Sequence, residues 1–171
     1  SEMPDWNFDR VVAQTRSAWN NHLGKIKIKT SDQEQKTIFY SALYHAGISP
    51  SLYGDVDGRY RGMDKKIRQS EKKNYTIYSL WDTFRAFHPL MTIIDPQKND
   101  DFIQSLMGKY REGGIFPMWE LASNYTGTMI GYHAIPVVVD AWMKGDRNIA
   151  AGKDLLKACL RSAEYDTTGI L

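Results

Sequence analysis

Two acidic residues, each directly after a tryptophan, carry the chemistry this sequence offers: Asp82 in Trp81-Asp82 and Glu120 in Trp119-Glu120. An indole presents an apolar ring face and a carboxylate accepts paired hydroxyl hydrogen bonds, the combination a sugar site requires. Arg85 follows Asp82 by three positions, so the two share a face if a helix begins near Trp81. Read on residue type alone, Asp82 and Glu120 are nominees for the acid and base of a glycosidase. A tryptophan before an acid is equally a buried anchor beside a charge that suits a helix N-terminus. Spacing leaves both readings open.

The elements that must hold these residues are mostly helical. Phe8, Val11, Val12, Thr15, Trp19 and Leu23 follow helical spacing over Asp5 to His22, and Gly24 ends that run. The alternation Lys25-Ile26-Lys27-Ile28-Lys29 reads as a short strand or an extended connection. Ser31, with Glu34 three positions on, predicts the cap of a second helix buried through Ile38, Phe39, Ala42, Leu43 and Ala46 and closed by Gly47. Ser49 to Arg61 reads as a loop in which Asp55-x-Asp57-Gly58 forms an Asx turn, since the further ligands of a calcium loop are missing. Met63 to Asn74 is polar and lysine-rich, an exposed hairpin tip or loop.

A β-prone run (Tyr75, Ile77, Tyr78) stops at Ser79, and a third helix is predicted from Trp81 to Ile94, kinked near Arg85 by Pro89. Asp95 caps a fourth helix with Pro96 at its first position, ending at Gly113-Gly114. A long loop over 115–127 holds Trp119 and Glu120. A fifth helix, Thr128 to Lys144, is apolar almost all round and bent by Pro136, and Asp146 caps a sixth that runs to about Ala163. His133 and Asp140 on the fifth helix read as satisfied core polar groups, as do His45 and His88. About six helices in three sequential hairpins predict an all-α architecture.

Composition excludes several function classes. The hydrophobic fraction of 42% and charged fraction of 25% are those of a globular chain, with a net charge of +2 and scattered basic residues. That is no nucleic-acid footprint, and no apolar run approaches membrane-spanning length. The single cysteine, Cys159, rules out an internal disulfide and a cysteine zinc site, and its apolar neighbours predict a buried, inert thiol.

Several stretches resemble glycoside hydrolase family 92, bacterial exo-α-mannosidases that are mostly α-1,2-specific and calcium-dependent. They are Asp55-Val-Asp-Gly-Arg-Tyr-Arg-Gly-Met-Asp64, Tyr78-Ser-Leu-Trp-Asp-Thr-Phe-Arg85 and the run from His88-Pro89-Leu90 through Asp95-Pro96. Phe116-Pro-Met-Trp-Glu-Leu-Ala122, Met129-Ile-Gly-Tyr-His133 and Asp140-Ala-Trp-Met-Lys-Gly145 continue the match in order. The likeness runs from about Trp6 onward. One departure is Ser123-Asn124-Tyr125-Thr126, where the family carries a run like Gly-Asn-Glu-Thr.

The resemblance implies a single partial domain over 1–171, the N-terminal half of an (α/α)6 catalytic barrel, from a periplasmic or secreted enzyme. It implies an inverting mechanism, in which one carboxylic acid protonates the leaving oxygen and a carboxylate activates water on the opposite side. The family's general acid lies in a Glu-Gly-Asn-Ala-Trp run that this sequence lacks, so no catalytic residue is assigned here. The Ca2+ ligands are likewise expected outside the chain, and no metal ligand is assigned within it. What is expected is a wall of the sugar site: Asp82 and Glu120 as hydroxyl acceptors, Trp119 as a stacking ring, and Arg85 orienting Asp82 without touching sugar. The expected partners are α-mannoside glycans, with no nucleic acid and no membrane, and self-association through open barrel edges. The alternative from another class is a stand-alone helical carbohydrate-binding module without catalysis.

Overall fold

In the computed structural model, residues 5–146 and 152–165 are described, and the chain divides into two compact units, Ser1–Ile48 and Ser49–Leu171. The first unit is a helical hairpin. Helix α1, Phe8–Leu23, starts where the Asn7 side chain accepts from the Arg10 N–H at 3.0 Å and ends at Gly24. Helix α2, Gln33–Ala46, is capped by Asp32 rather than Ser31: Asp32 Oδ1 accepts from the N–H groups of Glu34 and Gln35 at 2.9 and 3.1 Å. Between them, residues 25–29 form a connection and no strand: Lys25 and Ile26 finish a turn, and Tyr40 Oη donates to the Ile26 carbonyl. Of the expected apolar stripe only Leu43 is buried, and Ile38 is 61% exposed.

The second unit corrects the all-α expectation. Its described residues form seven short strands in three antiparallel sheets beside five helices. Strand β1 (Ser51–Leu52) pairs with β4 (Tyr75–Thr76), and β2 (Arg59–Arg61) with β3 (Ile67–Gln69). The third sheet runs β5 (Tyr78–Ser79), β6 (Trp119–Leu121), β7 (Asn124–Tyr125). The β-prone run at Tyr75 to Tyr78 forms β4 and β5, but strands of two or three residues complete no alternation that a sequence pattern can register, which is why most of the other stretches read as loops. The Asx turn is present: Asp57 Oδ1 accepts from the Arg59 N–H at 3.1 Å, and Gly58 sits at φ +82 in the β2–β3 hairpin.

The expected third helix is two. Helix α3 is the single turn Leu80–Thr83, and α4 covers Phe87–Ile94. Pro89 falls in the first turn of α4, where its missing N–H costs nothing, but its ring forbids a helical carbonyl four residues back, at Arg85. The kink therefore becomes a break, with Ala86 at φ −137. Helix α5, Pro96–Gly113, has Asp95 accepting from the Lys98 N–H at 3.3 Å and ends at left-handed Gly114.

Helix α6 is Ala134–Met143, six residues shorter at its start than expected, because Gly127, Met129 and Gly131 all adopt positive φ. Pro136 thus lies in the first turn and bends nothing. Helix α7 is Gly152–Ala163, and the expected cap at Asp146 adjoins residues outside those described. In this unit the expected pairing of the third and fourth helices is present as α4 packed on α5, and α6 packs against both of them.

The core joins these helices to the third sheet: Tyr78, Leu80, Met91, Phe102, Ile103, Leu106, Val138 and Ala158 are all buried. Each large apolar side chain hidden there contributes on the order of 1.5–3 kcal/mol. Cys159 belongs to this cluster, and burial raises its thiol pKa, as expected of an inert thiol.

Candidate functional site

Trp119 and Glu120 are consecutive on β6, so the pleat sends their side chains to opposite faces of the sheet. Across the strand boundary, Trp119 is opposite Ser79 and Glu120 opposite Tyr78. On the Trp119 face, the indole Nε1–H donates to Ser79 Oγ at 2.9 Å. Ser79 Oγ donates in turn to Asp82 Oδ2 at 2.5 Å. Trp119 and Asp82 are therefore brought together through Ser79, with Asp82 exposed on the first turn of α3 and Trp81 beside it 40% exposed.

The Glu120 face is different. Glu120 is fully buried, and its carboxylate accepts from Thr76 Oγ1 at 3.1 and 3.2 Å and from the Ser123 N–H at 2.6 Å. Lys109 of α5, 2% exposed, places Nζ 3.2 Å from Glu120 Oε1. Burial pushes the Lys109 ammonium pKa down, and the Glu120 carboxylate opposes that shift. Arg85 stands apart from Asp82: α3 ends at Thr83, so the shared helical face stops short, and the guanidinium lies 5.1 Å from the Phe84 ring centroid instead.

The loop after β7 is fastened to the same wall. Thr126 Oγ1 donates to the Trp119 carbonyl at 2.8 Å and lies 2.9 Å from Thr128 Oγ1. His133, read from sequence as a core group, is half-buried with its ring 4.3 Å from that of Phe84. Gly131 backs onto it so closely that a Cβ would stand 2.5 Å from His133 Cε1. Asp140 pairs with Lys144 on the next turn at 2.7 Å, and His45 is exposed.

Sequence reasoning missed Ser79, Thr76 and Lys109. Ser79 left a signal, because Ser-x-x-Asp is a capping-box spacing. Lys109 left none, since a lysine in an amphipathic helix reads as solvated surface.

The Asp82–Ser79–Trp119 group offers what recognition needs: an apolar ring edge, a shared hydroxyl, and a carboxylate oriented through Oδ2, with no hydrogen bond to Oδ1 among the described residues. The resemblance implies calcium, with its ligands expected outside this chain. Among the described residues no three histidine, cysteine, aspartate or glutamate side chains converge on one point. Asp57, in the stretch read from sequence as an Asx turn and not a calcium loop, is held by Arg59 at 2.6 Å.

A family GH92 α-mannosidase from Bacteroides thetaiotaomicron, also solved with mannoimidazole, superposes at TM-score 0.88 with 34% identity, covering 95% of this chain and 22% of that one. A family GH92 inverting mannosidase from the same organism superposes at 0.83 with 33% identity, covering 93% of this chain and 22% of its own. An uncharacterized secreted glycosidase from Arthroderma benhamiae is 33% identical over 84 residues, 47% of this chain and 10% of that protein. The chain thus spans about a fifth of the solved relatives and a tenth of the curated one. The sequence model of the glycosyl hydrolase family 92 catalytic domain matches residues 1–170, and the chain belongs to that family.

Proposed function

We propose that this chain serves an exported, calcium-dependent, inverting exo-α-mannosidase acting on α-1,2-mannosides, and that it supplies part of the sugar-binding wall without the general acid and base. The observation that carries the reading is the hydrogen-bonded line Trp119–Ser79–Asp82 at the surface of a chain whose solved relatives are mannosidases. Trp119 gives the pyranose an apolar edge. Asp82, oriented by Ser79 through Oδ2, accepts sugar hydroxyls at Oδ1. Glu120 is buried on the other face and acts on the sheet rather than on sugar. Calcium, when bound, would polarise sugar oxygens, and among the described residues no three histidine, cysteine, aspartate or glutamate side chains gather to hold it. Export is supported by one relative described as secreted, and among the described residues no helix is long and apolar enough to cross a membrane.

The residue assignments have a direct test. The 171-residue chain should bind methyl α-mannoside yet release no mannose from α-1,2-mannobiose at any calcium concentration. Turnover by the chain alone, abolished by Asp82→Asn or Glu120→Gln, would instead make these two the catalytic pair. We also infer self-association through Ile93, Met143, Leu156 and Leu160, apolar side chains more than half exposed, which sedimentation at micromolar concentration reads as a dimer or as a monomer.

A further inference from the structure

The ion pair Lys109–Glu120 lies under the sheet whose other face carries Trp119. Both side chains are closed to water, at 2% and 0% exposure. Lys109 Nζ makes no well-directed hydrogen bond, and it faces the rings of Tyr53 and Tyr78 with centroids at 6.0 and 5.7 Å. Removing two charges from water is expensive, and such pairs are commonly replaceable by apolar residues without loss of stability. Stability is therefore a poor account of why this pair is here. Its geometric effect is specific.

Glu120 is the central residue of the three-residue strand β6, flanked by Tyr78 on one side and Tyr125 on the other. One of its oxygens meets α5 through Lys109, and the same carboxylate holds Thr76 and the Ser123 N–H. Thr76 Oγ1 also accepts from the Ala122 N–H at 2.6 Å. Ala122 and Ser123 both adopt left-handed backbone, φ 48 and 55, so the turn from β6 to β7 is tight and built without glycine. The carboxylate thus fixes both the seat of β6 on α5 and the turn that ends it. Trp119 shares a peptide bond with Glu120 and projects the opposite way, so a shift of one moves the other.

We propose that the Lys109–Glu120 pair is a positioning device that sets the reach of the Trp119 indole toward Ser79 and Asp82. Lys109 and Glu120 touch no sugar and act through the strand. This rests on the reading of Trp119 as a mannoside contact, but the displacement of the indole is measurable without any ligand.

The test compares the wild-type chain with Lys109→Met, Lys109→Arg and the neutral double variant Lys109→Met/Glu120→Gln. Lys109→Met strands a buried carboxylate and can unfold the unit; the double variant removes both charges at similar volume and is the decisive one. The readouts are the indole N–H resonances of the five tryptophans, the thermal melt, and the affinity for methyl α-mannoside. The double variant should melt close to wild type while the Trp119 indole resonance moves and its exchange with solvent quickens, the other four staying in place. Mannoside affinity should fall on the order of ten- to a hundredfold, and Lys109→Arg should recover most of it. A folded double variant with an unmoved Trp119 resonance overturns the proposal. If wild type binds no mannoside but the resonance still moves, the sugar reading fails and the positioning stands.

Discussion

Trp119 and Ser79 face each other across two antiparallel strands, and the indole N–H donates to the serine hydroxyl at 2.9 Å. Because that hydroxyl also donates to Asp82, one oxygen aligns both the ring and the carboxylate. Ser79→Ala removes both bonds at once. We expect a stability loss of only about 1 kcal/mol, since the group is partly solvated, alongside a clear loss of mannoside affinity. Denaturant unfolding and ligand titration on the same preparation separate the two. Equal affinity in Ser79→Ala and wild type would mean that the line of hydrogen bonds serves the fold alone.

His88 supplies a pH dependence. It is buried among Tyr78, Phe87 and Phe102, of which only Tyr78 can ionise, and neither ring nitrogen has a hydrogen-bond partner among the described residues. Desolvation lowers its pKa from 6.5 to about 4. The folded-state pKa lies below the unfolded one, so between these values the unfolded chain holds more protons and stability rises with pH. From neutral pH down through 6.5 toward 4, the cost should reach roughly 3 kcal/mol and then level off. His88→Leu should flatten this part of the stability profile in denaturant melts taken at pH 7, 5.5 and 4.5. An unchanged slope would assign the acid sensitivity elsewhere.

Ser123 stands at φ 55, a left-handed position, and its buried hydroxyl has no hydrogen-bond partner among the described residues. Ser123→Gly keeps the N–H that binds Glu120, relieves the backbone and removes the stranded oxygen. We expect stabilisation of about 1 kcal/mol after the extra freedom of glycine in the unfolded chain is counted, visible as a Tm higher by a few degrees. Ser123→Ala, which keeps the strain, should gain less. A lower Tm for the glycine variant would show that the hydroxyl has a role the static contacts miss.

The helix ends were largely legible because they carry local chemistry: Gly24, Gly47, Asp95-Pro96 and Gly114 stand at the predicted ends, with Gly114 in the left-handed conformation and Gly24 and Gly47 right-handed. Of the sheets, only the β-prone run that forms β4 and β5 was legible, and its partners were not. Ser79↔Trp119 is a pairing of residues forty apart in two- and three-residue strands, and nothing local announces it. The same blindness affected Glu120. On a loop or a helix it could have faced sugar beside Trp119; on a strand, period-two alternation turns it into the core, where Lys109 meets it. Asp82 kept its exposed place, and Arg85 lost the shared face when Pro89 broke the helix. The departure at Ser123 from the family's glycine also acquires a physical meaning, since the position requires left-handed backbone.

The central claim is that Trp119 is a ligand-facing ring. Methyl α-mannoside titrated into the 15N-labelled chain, with the five indole N–H resonances followed individually, tests it most directly. The account predicts a saturable shift at Trp119, a smaller one at neighbouring Trp81, and silence at Trp6, Trp19 and Trp142. Trp119→Ala should abolish the titration and leave a cooperative melt. A Trp119 resonance that stays fixed at saturating mannoside, together with a truncation cost near the roughly 3–5 kcal/mol of a core aromatic, would contradict it.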